Sequence, residues 1–200
     1  PPLLVGASMG GLLALGVAGE RQASSPCRAL VLVDSTPRMR APGIERILGF
    51  MRAAPEGFAN HDEALAAIAR FQPQRHAQRN ELAISTMLRA RDDGRLTWHW
   101  DPAMLEAVTA TGANQESRLL AAASAVRVPT LLVSGGRSDV VSAATVAEFL
   151  RLLPHAQHVE LADASHSVVG DAGPAFVRIL REFCTSIITP DTALCSSTVA

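Results

Sequence analysis

The sequence has no marked excess of charge, no apolar run long enough to cross a membrane, and no even set of cysteines. Its 18 Lys and Arg residues nearly balance its 19 Asp and Glu residues, which gives a formal net charge of −1. We therefore expect neither a nucleic acid nor an anionic membrane surface as a partner. Apolar runs such as residues 12–18 are far below the ~20 residues that a spanning helix needs.

Three cysteines, Cys27, Cys184 and Cys195, do not have the spacing of metal ligands. An odd number of isolated cysteines indicates reduced thiols in a cytoplasmic protein rather than a disulfide framework. We expect no metal site and no cofactor. The chain opens with Pro1 and Pro2 directly before an apolar run, with neither an initial Met nor a signal-like segment, so we expect that its natural N-terminus lies further upstream.

Short apolar runs that alternate with helical patterns predict an α/β fold. Residues 29–33 and 128–133 are continuous runs rich in Val and Leu, which is typical of strands buried on both faces of a parallel sheet. Residues 3–5 predict another strand, and the apolar run at 12–18 predicts the helix that follows it. This alternation predicts one domain built on a doubly wound, mostly parallel sheet.

Residues 38–125 differ from the rest of the chain and predict a helical cap inserted into the core. The core is predicted to comprise residues 1–37 and 126–184, and helices are predicted within the cap at residues 43–54, 62–71 and 80–90. Residues 185–200 lack periodicity, and we expect a disordered tail.

Residues 6–10 read Gly-Ala-Ser-Met-Gly and match the GxSxG nucleophile elbow, a sharp turn between a strand and a helix. The glycines have a steric purpose, because a serine in a strained backbone conformation leaves little space for side chains on either side. The motif predicts Ser8 as the nucleophile. The backbone amide of Met9, at the start of the following helix, is expected to donate to the developing oxyanion.

A serine hydroxyl needs a base within hydrogen-bond reach, and that base must be oriented by an acid. Among six histidines, His166 alone lies in a short loop between the last predicted strand, residues 158–161, and the last predicted helix, residues 172–184. We predict His166 as the base. Asp139, in a Gly-rich loop after a core strand, is the predicted acid, and Asp34, which ends the other core strand, is the alternative. Asp163 is expected to shape the loop that holds the histidine.

Four segments together resemble the α/β-hydrolase family: residues 6–11, 30–38, 134–139 and 163–166. Residues 34–38 and 98–101 are similar to its capped branch, often labelled peroxidase-like or epoxide-hydrolase-like. The resemblance implies an α/β-hydrolase fold that lacks its N-terminal strands in this chain. It also implies an upstream HGxxG-type loop, absent here, that supplies a second oxyanion donor. Ser8 stands where the epoxide hydrolases of the family have an aspartate, which argues against alkyl-enzyme chemistry.

The resemblance implies a cofactor-free serine hydrolase that cleaves an ester, lactone or thioester of a small, largely apolar substrate. Cleavage of a carbon–carbon bond or perhydrolysis with the same triad is an alternative, as is a non-catalytic ligand-binding protein. We expect an apolar inner face of the cap, with Trp98 and Trp100 as substrate-binding residues or as packing residues. An exposed sheet edge also predicts association into a homo-oligomer.

Overall fold

A computed structural model describes residues 1–20, 26–73, 84–110 and 112–188. The chain divides into two compact units, one formed by Pro1–Gly43 with the residues from Ala113 onward, and the other by Ile44–Gly112. The second unit is shorter than the predicted cap of residues 38–125, because most of the helix that ends at Ala125 belongs to the first unit.

In chain order the described elements are β1 (Leu3–Ala7), α1 (Met9–Glu20), β2 (Ala29–Val33), α2 (Ala41–Arg52), α3 (His61–Phe71), β3 (Leu88–Ala90), β4 (Leu96–Trp98), α4 (Pro102–Ala110), α5 (Gly112–Ala125), β5 (Thr130–Gly135), α6 (Ala143–Leu152), β6 (Gln157–Leu161) and α7 (Val168–Ile188).

The first unit contains a parallel sheet in the order β1-β2-β5-β6. Every residue of β2 and of β5 is buried, as is typical of strands covered on both faces. One face packs against α7 through a core that includes Val31, Val133 and Phe176. These observations confirm the predicted α/β fold class.

The register of this sheet brings three loops to one edge. Ala7 of β1 lies beside Val33 of β2, and Val33 lies beside Val133 of β5. Because the strands are parallel, the residues that follow them leave the sheet at the same edge. Ser8 and Asp34 are therefore placed side by side, and their positions follow from strand pairing alone.

The second unit contains α3, α4, most of α2 and a hairpin of β3 and β4. The antiparallel pairing of Leu88 with Trp98 shows that the predicted helix over residues 80–90 is wrong at its end. Residues 88–90 have good helix formers, but pairing with β4 overrides that weak local preference.

The C-terminal helix α7 is longer than the sequence predicts. It begins at Val168 and bends at Ala172, whose φ of −137° is not helical. Pro174 follows this bend, where a missing backbone donor is tolerated as it is in the first turn of a helix. Residues 185–188 are helical, so the predicted tail does not begin at 185, and residues 189–200 lie outside the described part of the chain. None of the described helices is both long enough and apolar enough to cross a bilayer.

Candidate active site

The backbone at Ser8 turns sharply between β1 and α1. Ser8 has a φ of +51°, a left-handed conformation that is uncommon for a residue with a side chain. Its amide donates to the Val33 carbonyl at 3.0 Å, which ties the turn to the neighbouring strand. Strain of this kind requires support from the surrounding structure, and the turn has the form expected of a nucleophile elbow.

The glycines around Ser8 are not equivalent. A Cβ at Gly6 would lie 2.3 Å from the Gly10 carbonyl oxygen, and a Cβ at Gly11 would lie 2.5 Å from the Ser35 hydroxyl oxygen. A Cβ at Gly10 would meet no atom within 4 Å. The steric argument from the sequence therefore holds for Gly6 and not for Gly10, and Gly11 is a further position where a side chain cannot fit.

The structure brings Ser8, His166 and Asp34 into one hydrogen-bonded chain. Nε2 of His166 is 3.0 Å from Oγ of Ser8, and Nδ1 of His166 is 2.6 Å from Oδ2 of Asp34. The imidazole side chain is 16% exposed and the carboxylate is fully buried. This arrangement matches the geometry in which an acid fixes the imidazole and leaves its other nitrogen free to accept the serine proton.

The prediction that Asp139 contacts the imidazole is wrong, because Asp34 occupies that position. Nδ1 can carry only one hydrogen, and the Asp34 carboxylate lies at hydrogen-bond distance to accept it. Asp34 follows β2, the strand next to the one that ends at Ser8, and its own φ of +47° turns the side chain out of the strand direction. The acid that the sequence offered as an alternative therefore has the required geometry.

The buried carboxylate of Asp34 accepts two further hydrogen bonds from the loop after β5. The Gly135 amide donates to Oδ1 at 2.9 Å, and the Ser138 hydroxyl donates to Oδ2 at 2.5 Å. Such bonds offset the desolvation of a buried charge. Ser138 was missed by sequence reasoning, since nothing in the sequence distinguishes it from the other serines of the loops.

The loop that carries His166 is fastened to the loop after β5. The Gly136 amide donates to the Leu161 carbonyl and the Arg137 amide to the Ala164 carbonyl, both at 2.9 Å. A Cβ at Gly135 would lie 2.4 Å from the Ser165 carbonyl oxygen, so the two loops pack with backbone against backbone. The Arg137 guanidinium also pairs with Asp163 at 2.6 Å, which agrees with the expected role of that aspartate in shaping the loop.

The amide of Met9 lies at the first position of α1. The first amides of a helix have no acceptor within the helix and carry part of the positive end of its dipole. The Ser8 carbonyl accepts from the amides of Gly11 and Leu12, which closes the first turn of α1 directly after the nucleophile. Its position suits the oxyanion donor that the sequence predicts, and that role remains a prediction.

Ser8, Asp34 and His166 all lie within the part of the chain that matches the model of a known protein family. The model of the alpha/beta hydrolase family matches residues 1–179. The chain belongs to the α/β-hydrolase family. Membership confirms the predicted family and fold.

Relatives of this α/β-hydrolase chain include named enzymes. It is similar to a 3-hydroxybutyrate-oligomer hydrolase from Cupriavidus necator, with 31% identity over 194 residues that cover 90% of this chain and 64% of that protein. It is also similar in structure to an E-2-(acetamidomethylene)succinate hydrolase, with a TM-score of 0.79 and 26% identity over 92% of this chain and 66% of the other. An esterase from Mycobacterium tuberculosis matches with a TM-score of 0.70 and 25% identity, covering 92% of this chain and 60% of that one. The chain spans slightly less than two thirds of the length of these relatives.

The tryptophans of this α/β-hydrolase chain lie in an aromatic cluster of the second unit. Trp98 is 4% exposed, stacks on Trp100 with a centroid distance of 4.8 Å, and meets Phe58 edge-on at 4.9 Å. These ring contacts show that both tryptophans have a packing role in the cluster. Nε1 of Trp98, however, is buried with no hydrogen-bond partner among the described residues.

A cavity of about 310 Å³ lies within the second unit and is lined by both tryptophans. Its wall also contains Arg52, Arg89 and Glu106. The apolar inner face expected of the cap remains a prediction. The sequence pattern did not predict that these charges line one cavity, because Arg52 lies at the end of α2 and Arg89 on a strand where a helix was predicted.

His158 and Cys27 are titratable groups that are not part of the candidate triad. His158 on β6 is 2.8 Å from the Ser134 hydroxyl, and burial lowers its pKa while the Glu160 carboxylate opposes that shift. Burial raises the pKa of the Cys27 thiol. Within the described ranges, no three His, Cys, Asp or Glu side chains come together as a metal site would need. Cys195, the third cysteine of the sequence, lies outside these ranges.

Proposed function

We propose that the protein is a serine hydrolase that cleaves a carboxylic ester, lactone or thioester through an acyl-enzyme. The observation that carries the proposal is the hydrogen-bonded chain from Ser8 through His166 to the buried Asp34. Two further observations support it: the left-handed backbone at Ser8 and the position of the following residue, Met9, at the start of α1.

In the proposed reaction, Oγ of Ser8 attacks the carbonyl carbon while Nε2 of His166 accepts the hydroxyl proton. The carbonyl oxygen becomes an oxyanion that the Met9 amide stabilises. His166 then returns the proton to the leaving oxygen or sulfur, and an acyl-serine remains. Water attacks the acyl group, His166 accepts one proton of that water, and Ser8 leaves with the proton that His166 gives back.

Asp34 remains ionised throughout this cycle. It keeps the proton of His166 on Nδ1, so that Nε2 faces Ser8 as an acceptor, and it stabilises the imidazolium that forms after proton transfer. The hydrogen bonds from Gly135 and Ser138 hold both of its oxygens in place. Asp34 therefore has the role that was first predicted for Asp139.

The relatives support an ester as the substrate class. The similar protein from Cupriavidus necator is a hydrolase of 3-hydroxybutyrate oligomers, and the structural relative from Mycobacterium tuberculosis is an esterase. We propose that a short-chain carboxylic ester, including the ester bond of a short hydroxy-acid oligomer, is the substrate of this chain.

Two measurements test this function. A fluorophosphonate should label the protein once, at Ser8, as read by intact mass and peptide mapping, and the Ser8→Ala variant should not react. Hydrolysis of p-nitrophenyl butyrate and of a 3-hydroxybutyrate dimer should be lost in the same variant. A protein that is labelled elsewhere, or that hydrolyses these esters equally well without Ser8, would contradict the proposal.

A further inference from the structure

The cavity of the second unit has features that packing alone does not account for. Trp98 lines it, and its indole N–H is buried without a partner among the described residues. Buried tryptophans ordinarily donate this hydrogen to an acceptor, because a buried donor without a hydrogen bond costs free energy. An indole is a donor only, so the missing partner must present an acceptor atom.

The charges of the cavity wall favour an anion. Arg52 and Arg89 line it, and Glu106 is the one carboxylate among the described residues of its wall, so these three side chains together carry one positive charge. Arg52 and Arg89 are both exposed, so a ligand can approach their guanidinium groups from the solvent. A planar guanidinium matches the two oxygens of a carboxylate particularly well.

The rest of the wall favours an apolar body on that anion. The stacked rings of Trp98 and Trp100 lie beside Met51 and Leu105. The volume of about 310 Å³ is at the lower end of the range for small-molecule sites. It suits a single ring or a short alkyl chain.

We propose that this cavity binds a small monocarboxylate with an aromatic or short alkyl body, whose carboxylate accepts the Trp98 indole hydrogen and pairs with Arg52 and Arg89. The ring or chain of the ligand lies against the tryptophan faces. The proposal uses residues of Ile44–Gly112 only, and it holds whether or not Ser8 is a nucleophile.

The intrinsic fluorescence of the protein reports on this site directly. The chain has two tryptophans and no tyrosine, so its emission comes from Trp98 and Trp100, which both line the cavity. Phenylacetate is titrated into the Ser8→Ala protein, with phenylacetamide as the neutral counterpart of the same shape. We expect a saturable change in emission with phenylacetate, and binding at least about tenfold weaker for the amide, because the amide cannot pair with the guanidinium groups.

Two variants separate the ligand contacts from packing. Trp98→Phe removes the indole N–H and should weaken phenylacetate binding at least about tenfold, whereas Trp100→Phe, the matched control that keeps this donor, should weaken it less. Each variant retains one tryptophan for the readout, and circular dichroism establishes that it is folded.

Arg89→Met changes an exposed side chain, so it decides the matter even where Trp98→Phe fails to fold. It should weaken the binding of phenylacetate and leave that of phenylacetamide unchanged. The proposal is overturned by the absence of saturable binding, by equal affinities for the acid and the amide, or by unchanged phenylacetate affinity in folded Trp98→Phe or in Arg89→Met.

Discussion

Replacing Asp34 by Asn is the most discriminating test of the candidate active site, because it distinguishes between Asp34 and Asp139, the two aspartates suggested by the sequence as the acid. The carboxylate of Asp34 is fully buried and its two oxygens serve three donors, from Gly135, Ser138 and His166. An asparagine of the same shape has one oxygen and one NH₂ group. With its oxygen on the Gly135 amide, its NH₂ group faces the imidazole.

The consequence for catalysis follows from the tautomer of His166. An NH₂ group beside Nδ1 favours the form in which Nδ1 accepts and Nε2 carries the proton, and that form cannot accept the proton of Ser8. A change of this kind lowers kcat by about 10⁴ in a serine protease with the same arrangement. We expect a loss of similar size in Asp34→Asn, with a much smaller change in KM, since the substrate is still bound.

The matched control is Asp139→Asn, which should keep kcat near that of the unchanged protein. Ser138→Ala should lie between the two, because Asp34 then keeps its bonds to His166 and Gly135 and loses one donor. Initial rates with p-nitrophenyl butyrate and the rate of fluorophosphonate labelling measure these effects. The reasoning is refuted if Asp139→Asn costs as much as Asp34→Asn, or if Asp34→Asn retains full activity in a folded protein.

Four further substitutions test local features of the fold. Ser35→Ala should raise the free energy of unfolding by about 1 kcal/mol in urea denaturation, because its buried hydroxyl oxygen has no partner among the described residues; a clear loss of stability would contradict this. Gly6→Ala should abolish labelling of Ser8, since its Cβ would overlap a backbone oxygen at 2.3 Å, whereas Gly10→Ala, with no atom within 4 Å, should preserve it. Because the pKa of His158 is lowered in the native protein, its imidazole takes up a proton at a higher pH in the unfolded chain than in the folded one. The free energy of unfolding should therefore fall as the pH drops below ~6.5, and it should fall less in His158→Gln over the same range. Equal pH dependence of the two proteins would refute the last prediction.

The convergence of Ser8 and His166 could be predicted because each depends on chain order and strand direction. The motif around Ser8 requires a strand before it and a helix after it, and both are evident in the pattern of apolar residues. His166 follows the last strand of the described sheet, and parallel strands place such loops at the same edge. Neither inference needs the detailed course of a loop.

The choice between Asp34 and Asp139 could not be made in this way. Both follow buried strands, both lie between Ser8 and His166 in the chain, and β2 and β5 are neighbours in the sheet. The difference arises within a few residues: the left-handed backbone at Asp34 directs its side chain to the imidazole, and the loop after β5 contributes Ser138 as a donor. Hydrogen bonds inside a loop leave no periodic signal in the sequence.

The division of the chain gives the two proposals separate structural bases. Ser8, Asp34 and His166 all belong to the first unit, whereas the cavity-lining residues belong to the second. The alignment of the triad is maintained by strand register and by the backbone bonds between the loops after β5 and β6, none of which involves Ile44–Gly112. A substitution such as Arg89→Met therefore leaves every hydrogen bond of the triad intact. Its effect on ester hydrolysis, compared with its effect on carboxylate binding, tests whether the two proposed sites act independently.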